Sequence, residues 1–291
     1  MNKVYIGDNL PIMRDEIGDN SVNLIYIDPP FNTGKSQSRT RLRVRQSENG
    51  DRKGFLGKTY ETVKLETSSY HDNFGDEFID DFLRERLLEA YRVLSDDGLL
   101  YFHIDYREVH YCRLLLDSIF SPACFLNEII WAYDYGGRSK TRWPAKHDNI
   151  LVYAKSPDPN MTNFDKNLAK DLGKKFEAPN GGGKEKIGWS SVWWHTIVPT
   201  NGKERTGYPT QKPLGILNRI IETSSKPGDL VLDFFAGSGT VGESCIKLGR
   251  RFILMDNNSQ AELVMRKRFE PYKETVEFIH WNSIAEKAGN V

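Results

Sequence analysis

Short apolar runs alternate along the chain with segments in which apolar residues recur at helical spacing. The runs predict buried β-strands at Val4–Ile6, Leu24–Ile27, Leu99–Ile104, Phe125–Trp131, Ile150–Tyr153, Leu230–Phe235 and Phe252–Met255. The helical spacing predicts α-helices over Phe78–Leu94, Arg107–Phe120, Leu214–Ser224, Thr240–Leu248 and a last segment from about Ser259. Because strands alternate with helices, the pattern predicts an α/β protein with a doubly wound, mostly parallel sheet.

Two stretches break this alternation. Residues 36–75 are typical of a long loop, and residues 156–206 contain prolines, lysines and a run of three glycines. Loops of such length in compact domains are usually functional or disordered. We therefore expect residues 1–155 to form one half of a domain with a basic loop at about 35–75. Residues 156–206 would be an insertion outside the sheet, and residues 207–291 the other half of the domain.

The composition is that of a soluble globular protein. Hydrophobic residues make up 38% and charged residues 27% of the 291 residues, which is enough for one large domain. No stretch reaches the roughly 18 uninterrupted apolar residues of a membrane span, and the first residues lack a signal-peptide core. The three cysteines are widely separated and lack the C-x-x-C spacing of a zinc site. These features predict an intracellular, cytoplasmic protein with reduced thiols.

A glycine-rich turn joins one of the last predicted strands to the helix that follows it. Gly237, Gly239 and Gly242 have the spacing G-x-G-x-x-G, and Asp256 ends the next predicted strand. Glycines let a ligand approach the backbone, and a carboxylate at a strand end can accept hydrogen bonds from ribose hydroxyls. The motif fits either a dinucleotide such as NAD or an adenosyl cofactor without phosphates. A charge on Asp233 would lie poorly near a pyrophosphate, which favours the second ligand.

The predicted strand Leu24–Ile27 ends abruptly in Asp28-Pro29-Pro30-Phe31. Two prolines fix the backbone and remove two donors, so the strand cannot continue. Carboxyl ends of parallel strands share one edge of a sheet, which would bring Asp28 beside the glycine turn. There the Asp28 carboxylate and the Pro29 carbonyl would each accept one N–H of an exocyclic amine on a nucleobase and localise its lone pair. The Phe31 ring would stack on the base, which must flip out of a duplex to reach such a site.

These motifs resemble those of a known family. DPPF at 28–31 and FFAGSG at 234–239 resemble the catalytic and cofactor motifs of amino-group DNA methyltransferases. Their order, catalytic motif first and cofactor motif last, resembles the circularly permuted β group, which includes stand-alone modification enzymes and type III modification subunits. Further similar blocks lie at 4–10, 92–105, 147–156 and 208–213. The resemblance implies a circularly permuted methyltransferase fold, S-adenosylmethionine as cofactor and target recognition by the insertion at 156–206.

The resemblance also implies roles for single residues. Asp28, Pro29, Pro30 and Phe31 would hold the target base. The cofactor-binding residues would be Asp8, Thr210, Lys212, Phe235, Gly237, Gly239 and Asp256. Among these, Asp8 would approach the adenine of the cofactor, Asp256 its ribose, and Thr210 and Lys212 its carboxylate. Lys212 also makes independent sense, because a cationic side chain at a helix start can pair with a carboxylate.

Basic residues are concentrated in the segment that follows the DPPF motif in the sequence, although the formal net charge of the chain is zero. Seven basic residues and only two acidic ones lie between Lys35 and Lys53. This segment is either a solvated loop or a surface that follows the DNA phosphates, and we favour DNA contacts. The predicted DNA-binding residues are Lys35, Arg39, Arg41, Arg43 and Arg45. Three tryptophans of the insertion would either form its core or contact DNA, and they are Trp189, Trp193 and Trp194.

Taken together, the motifs predict a site-specific methyltransferase that modifies adenine N6 in double-stranded DNA. Cytosine N4 is the close alternative, since both targets are exocyclic amines; in the family, Asp28 and Phe31 are more typical of adenine enzymes. A dinucleotide-dependent oxidoreductase is a more distant alternative, and a catalytically silent DNA-binding module a third. A homodimer and a cognate restriction enzyme are both open as partners. We expect no metal site, because hydrogen bonding explains His103 better than metal ligation does.

Overall fold

The computed structural model describes residues 1–31, 37–46, 52–53, 59–70, 78–134, 139–158, 160–173, 190–199 and 201–281. In chain order the strands are β1 (Asn2–Ile6), β2 (Val22–Ile27), β3 (Gln37–Gln46), β4 (Arg52–Lys53), β5 (Thr59–Tyr70), β6 (Leu94–Ile104), β7 (Phe125–Ala132), β8 (His147–Ala154), β9 (Val192–Trp194), β10 (Leu230–Asp233), β11 (Arg251–Asp256) and β12 (Val276–His280). Nine of them form one sheet in the order β12-β1-β11-β10-β2-β6-β8-β7-β9.

This nine-stranded sheet is mostly parallel. Of its strands, β8 alone runs opposite to its neighbours, β6 and β7. The strands at its centre are buried on both faces, which explains their continuous apolar runs. The chain order is discontinuous in the sheet, because β1 lies between β12 and β11. The predicted doubly wound, mostly parallel α/β sheet is confirmed.

Helices cover both faces of the sheet. They are α1 (Asn9–Glu16), α2 (Arg84–Val93), α3 (Val109–Phe120), α4 (Lys166–Gly173), α5 (Leu214–Ser224), α6 (Thr240–Leu248) and α7 (Ser259–Phe269). Apolar side chains of α1, α2 and α3 join one core cluster, and those of α5, α6 and α7 join a second. The predicted helix Phe78–Leu94 begins as a π-helical segment, Phe78–Leu83, before α2.

Two expectations about the irregular stretches were wrong. Part of the predicted loop at 36–75 forms a separate antiparallel sheet, in which β5 pairs with both β3 and β4. Threonine and aliphatic residues alternate there with charged ones, and that pattern suits extended backbone. The insertion at 156–206 does not lie wholly outside the main sheet, because β9 pairs in parallel with β7.

The junction of β9 with the sheet also places one of the tryptophans. Trp193 is buried, and the guanidinium of Arg219 stacks 4.0 Å from the centre of its ring. Trp131 of β7 donates its indole N–H to the carbonyl of His195 at 2.7 Å, which fixes the chain after β9. Trp193 is therefore a core residue, whereas Trp189 lies outside the described residues.

In the described part of the chain, no helix has the length and apolar character needed to cross a membrane. Cys112, Cys124 and Cys245 are buried free thiols. Burial raises the pKa of each thiol, so the protonated form is favoured. The cysteines are thus packing residues.

Gly242 is required by close packing of α6 against the second core. A Cβ atom at this position would lie 2.7 Å from Cζ of Phe269 and 2.9 Å from Cδ1 of Leu254. Replacing Gly242 by Ala is expected to lower the free energy of unfolding by about 1–3 kcal/mol, because the core would be overpacked. Urea unfolding measures this change. Gly18→Ala is the matched control, since nothing lies within 4 Å of its Cβ position; equal stability of both variants would contradict the packing argument.

Candidate active site

A cleft of about 620 Å³ opens where β2 and β10 end side by side. From β10 the chain crosses to β11 through α6 on one face of the sheet, and from β2 it reaches β6 through α2 on the other. The two neighbouring strands therefore send their connections in opposite directions. Such a switch point leaves a crevice at the carboxyl ends of the strands, and this is where open α/β sheets bind ligands.

Most of the predicted site residues meet in this cleft. The predicted residues that line it are Asp8, Asp28, Pro29, Pro30, Phe31, Thr210, Lys212, Phe235, Gly237 and Asp256. Gly239 is not among the lining residues: it adopts φ +73° before α6, and a Cβ there would lie 2.8 Å from Cγ of Met265. The turn and the packing explain why position 239 is a glycine. Contact of Gly239 with the cofactor therefore stays a prediction.

The two carboxylate oxygens of Asp28 have different surroundings. Its Oδ2 lies 2.7 Å from Nζ of Lys212, and the side chains of Asp28 and Lys212 are only 17% and 10% exposed. Its Oδ1 is buried and has no hydrogen-bond partner among the described residues. The ammonium of Lys212 also lies 4.9 Å from the centre of the Phe31 ring. Asp28 is therefore held by one oxygen, while its other oxygen is a buried acceptor without a hydrogen-bond partner among the described residues.

A buried polar network lies behind Asp28. Nδ1 of His103 lies 2.7 Å from the hydroxyl of Tyr26 and 3.9 Å from Oδ1 of Asp28. Nε2 of His103 lies 3.2 Å from Oδ2 of Asp148, whose other oxygen accepts the hydroxyl of Tyr133 at 3.0 Å. The expectation that His103 is a hydrogen-bonded residue at a strand end is confirmed. In the described part of the chain, no group of His, Cys, Asp or Glu side chains could hold a metal ion.

This network also fixes protonation states near Asp28. Burial raises the pKa of Tyr26 far above its usual range, and the negative charge of Asp28 adds to the shift. Burial by itself would raise the pKa of Asp148, but the hydrogen bond and charge of His103 outweigh it and lower that pKa. Tyr26 is thus a neutral hydroxyl and Asp148 an ionised carboxylate at neutral pH.

Asp256 holds the glycine turn at the second side of the cleft. Its Oδ2 accepts the backbone N–H of Gly237 at 2.8 Å, and its Oδ1 accepts that of Asn258 at 2.8 Å. Gly237 has φ +50°, and the ring of Tyr208 lies 3.1 Å from its Cβ position. Burial raises the pKa of Asp256 to about 6. Its two backbone hydrogen bonds favour the charged form and lower the pKa, but burial outweighs them.

Asp233 corrects one step of the sequence interpretation. The residue is buried at the end of β10 and accepts the backbone N–H of Phe235 at 3.0 Å. Burial, with the nearby charges of Asp28 and Asp256, raises its pKa well above the usual range. A raised pKa favours the uncharged form of Asp233, which weakens the argument that its charge excludes a pyrophosphate.

The sequence interpretation missed two residues at the far end of the cleft, Phe82 and Arg86. Arg86 donates to Oδ1 of Asp8 at 2.8 Å, and its guanidinium stacks 4.1 Å from the centre of the Phe82 ring. That ring lies 5.9 Å from the ring of Phe235. Asp8 also caps α1 by accepting the N–H of Leu10 at 3.1 Å. The cluster joins positions 78 residues apart, and no short motif in the sequence indicates it.

Four of the predicted DNA-binding residues lie in the small antiparallel sheet. Arg39, Arg41, Arg43 and Arg45 belong to β3, so the segment is extended as their alternation assumed. Lys35 lies outside the described residues. DNA contact by all five stays a prediction.

A family model and similar curated proteins all indicate the same protein family. The model of a DNA methylase family, the N6 and N4 methyltransferases, matches residues 22–267. The type II methyltransferase M.HpaI of Haemophilus parainfluenzae is 29% identical over 288 residues, which cover 99% of this chain and 79% of that protein. The DNA adenine methyltransferase YhdJ of Escherichia coli K12 is 30% identical over 263 residues, with 87% and 78% covered.

Solved structures share the fold. The M1.HpyAVI complex with S-adenosylmethionine aligns with a TM-score of 0.55 at 20% identity and covers 92% of this chain and 99% of that one. The PvuII cytosine-N4-specific DNA methyltransferase aligns with a TM-score of 0.59 at 18% identity and covers 97% and 96%. The predicted fold class, enzyme class and S-adenosylmethionine dependence are those of this family. With the family model matching most of its length, the chain belongs to the DNA methylase family of N6 and N4 amino-methyltransferases.

Proposed function

We propose that the protein transfers a methyl group from S-adenosylmethionine to the exocyclic N6 amine of a flipped-out adenine in double-stranded DNA. The observation that carries this proposal is that the Asp28 carboxylate lines the cleft beside Phe31 and has one buried oxygen without a hydrogen-bond partner among the described residues. A buried acceptor without a partner is costly unless a ligand supplies a donor. The amine of a nucleobase supplies such an N–H, and Phe31 supplies a face for stacking.

The reaction needs a clamp and no metal ion. The amine lone pair is delocalised into the base, so the free amine is a poor nucleophile. Asp28 and the carbonyl of Pro29 would each accept one N–H and turn the lone pair toward the methyl donor. Alignment of the two reactants supplies the rest of the rate enhancement. After transfer the amine releases one proton, for which the carboxylate of Asp28 is the nearest proposed acceptor.

The rest of the cleft has the donors and acceptors that an adenosyl cofactor needs. Asp256 would hold its ribose hydroxyls, the Gly237 turn and Phe235 its adenosyl part, and Asp8 its adenine. Lys212 and Thr210 would hold its carboxylate. A Cβ at Gly237 would approach the Tyr208 ring to 3.1 Å, and with φ +50° a side chain at this position would be strained. When bound, this cofactor supplies the activated methyl group.

Adenine is favoured over cytosine as target. One relative is named as a DNA adenine methyltransferase, whereas one structural neighbour is named as cytosine-N4-specific. The combination of Asp28 and Phe31 is more typical of adenine enzymes in the family. Unmethylated genomic DNA treated with the protein, then sequenced for modified bases, decides the target and its sequence context together. N6-methyladenine at one recurrent sequence is the expected result, and N4-methylcytosine would establish the alternative.

The oxidoreductase alternative is tested by ligand binding. Because a ligand stabilises the state that binds it, S-adenosylmethionine or its homocysteine product at about 100 times its Kd should add about 2.7 kcal/mol of stability. The melting temperature measures this gain, and NAD at equal concentration should leave the temperature unchanged. A rise with NAD alone would contradict the methyltransferase proposal.

Cofactor affinity should fall as the pH drops below 6. The ionised carboxylate of Asp256 is the form that accepts ribose hydroxyls, and its pKa in the free protein is about 6. At pH 5 only about a tenth of Asp256 is ionised, so the Kd for S-adenosylmethionine should be about tenfold higher than at pH 7.5. Isothermal titration at both pH values measures the ratio. Asp256→Asn should bind more weakly at pH 7.5 and lose this pH dependence; an unchanged tenfold ratio in that variant would assign it to another group.

Partners and location follow as proposals. The strand β3 with its four arginines would contact the phosphate backbone near the flipped base, and residues 156–206 would recognise the target sequence. Modification of chromosomal DNA would place the protein in the cytoplasm. Size-exclusion chromatography with light scattering decides between a monomer and a homodimer. A restriction enzyme that cuts the mapped sequence only when it is unmethylated would be the cognate partner.

A further inference from the structure

Trp143 is the most exposed large apolar side chain in the described part of the chain. It is 97% exposed, compared with 69% for Leu114 and 62% for Leu263. A tryptophan side chain is usually largely buried, because its large ring loses favourable free energy in water. A binding partner that covered this ring would remove the free-energy cost of its exposure.

The loop that carries Trp143 lies at the same edge of the sheet as Asp28. It joins the end of β7 to the start of β8, and β7 runs parallel to β6 and β2. The carboxyl ends of β2 and β7 therefore point to one edge. The two ends of the loop are held together at the buried network behind Asp28, because the hydroxyl of Tyr133 donates to Oδ1 of Asp148 at 3.0 Å. The backbone N–H of Tyr133 also donates to the carbonyl of Lys146 at 2.9 Å, which closes the base of the loop.

The loop is basic around the ring. Residues 139–146 contain Lys140, Arg142 and Lys146 and no acidic residue. Pro144 follows the tryptophan directly and restricts its backbone. Positive charge beside an exposed aromatic ring is the combination that binds nucleic acid, because phosphates pair with the cations and bases stack on the ring.

We propose that Trp143 stacks on the DNA bases at the position that the target base leaves, while Lys140 and Arg142 hold the adjacent phosphates. This inference rests on the proposed function, since it names how the same site opens its substrate. Removing a base from a duplex leaves its neighbours unstacked, and a ring in the gap replaces part of the lost stacking. Trp143 thereby lowers the cost of flipping and takes no part in the methyl transfer itself.

Kinetics on two duplexes tests the proposal. One duplex carries the mapped target base in a normal pair, and the other carries it opposite an abasic site, where flipping costs less. Trp143→Ala should lower kcat/KM on the paired duplex by about 5- to 100-fold, the range for one lost base–aromatic stack. On the abasic duplex both proteins should react faster, and the loss should be of similar size because the ring fills the same gap once the target base has left. Trp143→Phe, which keeps a ring, should stay near the wild type on both.

The matched control is Leu114→Ala, which removes an exposed apolar side chain from α3. It should leave both duplexes unaffected. No loss for Trp143→Ala on either duplex, or an equal loss for Trp143→Phe, would overturn the stacking role. Wild-type protein that methylates neither duplex would contradict the proposed function and not this inference.

A binding measurement without turnover separates the stacking role of Trp143 from the methyltransferase activity of the protein. The probe is a labelled duplex with an abasic site in place of the target base, and fluorescence anisotropy gives its Kd. The wild type should bind it about 5- to 100-fold more tightly than Trp143→Ala, because the ring fills the gap. Equal affinities would refute the inference, whatever the catalytic activity of the wild type.

Discussion

Replacing Asp28 by Ala is expected to reduce methyl transfer to DNA by about 100- to 1,000-fold or more. The variant loses the proposed carboxylate acceptor and leaves the amine lone pair delocalised in the base. Asp28 does not belong to the proposed cofactor contacts, so the Kd for S-adenosylmethionine should change by no more than about threefold. Single-turnover methylation with labelled cofactor measures the first quantity, and isothermal titration measures the second.

Two further variants sharpen this test. Asp28→Asn keeps one acceptor oxygen and the side-chain shape, so it should retain more activity than Asp28→Ala. Asp15→Ala removes a carboxylate from the exposed side of α1 and should behave as the wild type. Methylation at the wild-type rate by Asp28→Ala would exclude the clamp, and a folded but inactive Asp15→Ala would show that the assay reports another defect.

Replacing Lys212 by Met is expected to affect stability and cofactor binding together. Lys212 is the cation 2.7 Å from Oδ2 of Asp28, and both side chains are mostly buried. Its loss leaves the Asp28 carboxylate without its countercharge in a cleft that also contains Asp233 and Asp256. Breaking a buried ion pair from one side costs about 3 kcal/mol, to be measured by urea unfolding. Loss of a charged partner for the cofactor carboxylate should also raise the Kd about tenfold or more.

A double-mutant cycle separates these two effects. In the combined variant of Asp28→Asn and Lys212→Met the uncompensated carboxylate is gone, so most of the lost stability should return. The weakened cofactor binding should remain. Lys267→Met, on the exposed side of α7, is the matched control and should alter neither quantity. Additive losses of stability in the double variant would show that the contact between Lys212 and Asp28 contributes nothing.

The sequence was sufficient to predict the residues at the strand ends. Asp28 and Asp256 each follow a buried apolar run, and parallel strands bring such ends to one edge whatever their separation in the chain. The glycine spacing left a dinucleotide and an adenosyl cofactor open, and the resemblance to amino-group DNA methyltransferases narrowed the ligand to the adenosyl cofactor. These signals are local, and for that reason they can be read without a structure.

Contacts between distant side chains could not be predicted. Whether Lys212 would pair with Asp28 depends on how the chain after residue 206 lies across β2, and Arg86 reaches Asp8 only through the packing of α2. The raised pKa of Asp233 likewise depends on burial and on two neighbouring carboxylates. At 37–46, Thr40, Leu42 and Val44 alternate with arginines, and the expectation of a loop missed that this extended segment pairs with β5.

The exposed position of Trp143 shows a different limit. Trp143 lies between an arginine and a proline in the sequence. This context is compatible with either a buried or a solvent-exposed ring, and only the folded structure distinguishes the two. Trp193 was given the same two interpretations from sequence and is buried. Aromatic residues in irregular segments therefore need structural information before a binding role is assigned.

The place of β1 in the sheet has a consequence for synthesis on the ribosome. Its two neighbours are β11 and β12, and the side chain of Asn2 accepts the N–H of Phe252, 250 residues further along the chain. At a usual elongation rate of about 5–20 residues per second, β1 waits roughly 12–50 s for its first partner strand. During that interval its backbone donors and acceptors are an unpaired edge that other chains can join. A nascent chain halted before Arg251 should therefore depend on chaperones more than the released protein does.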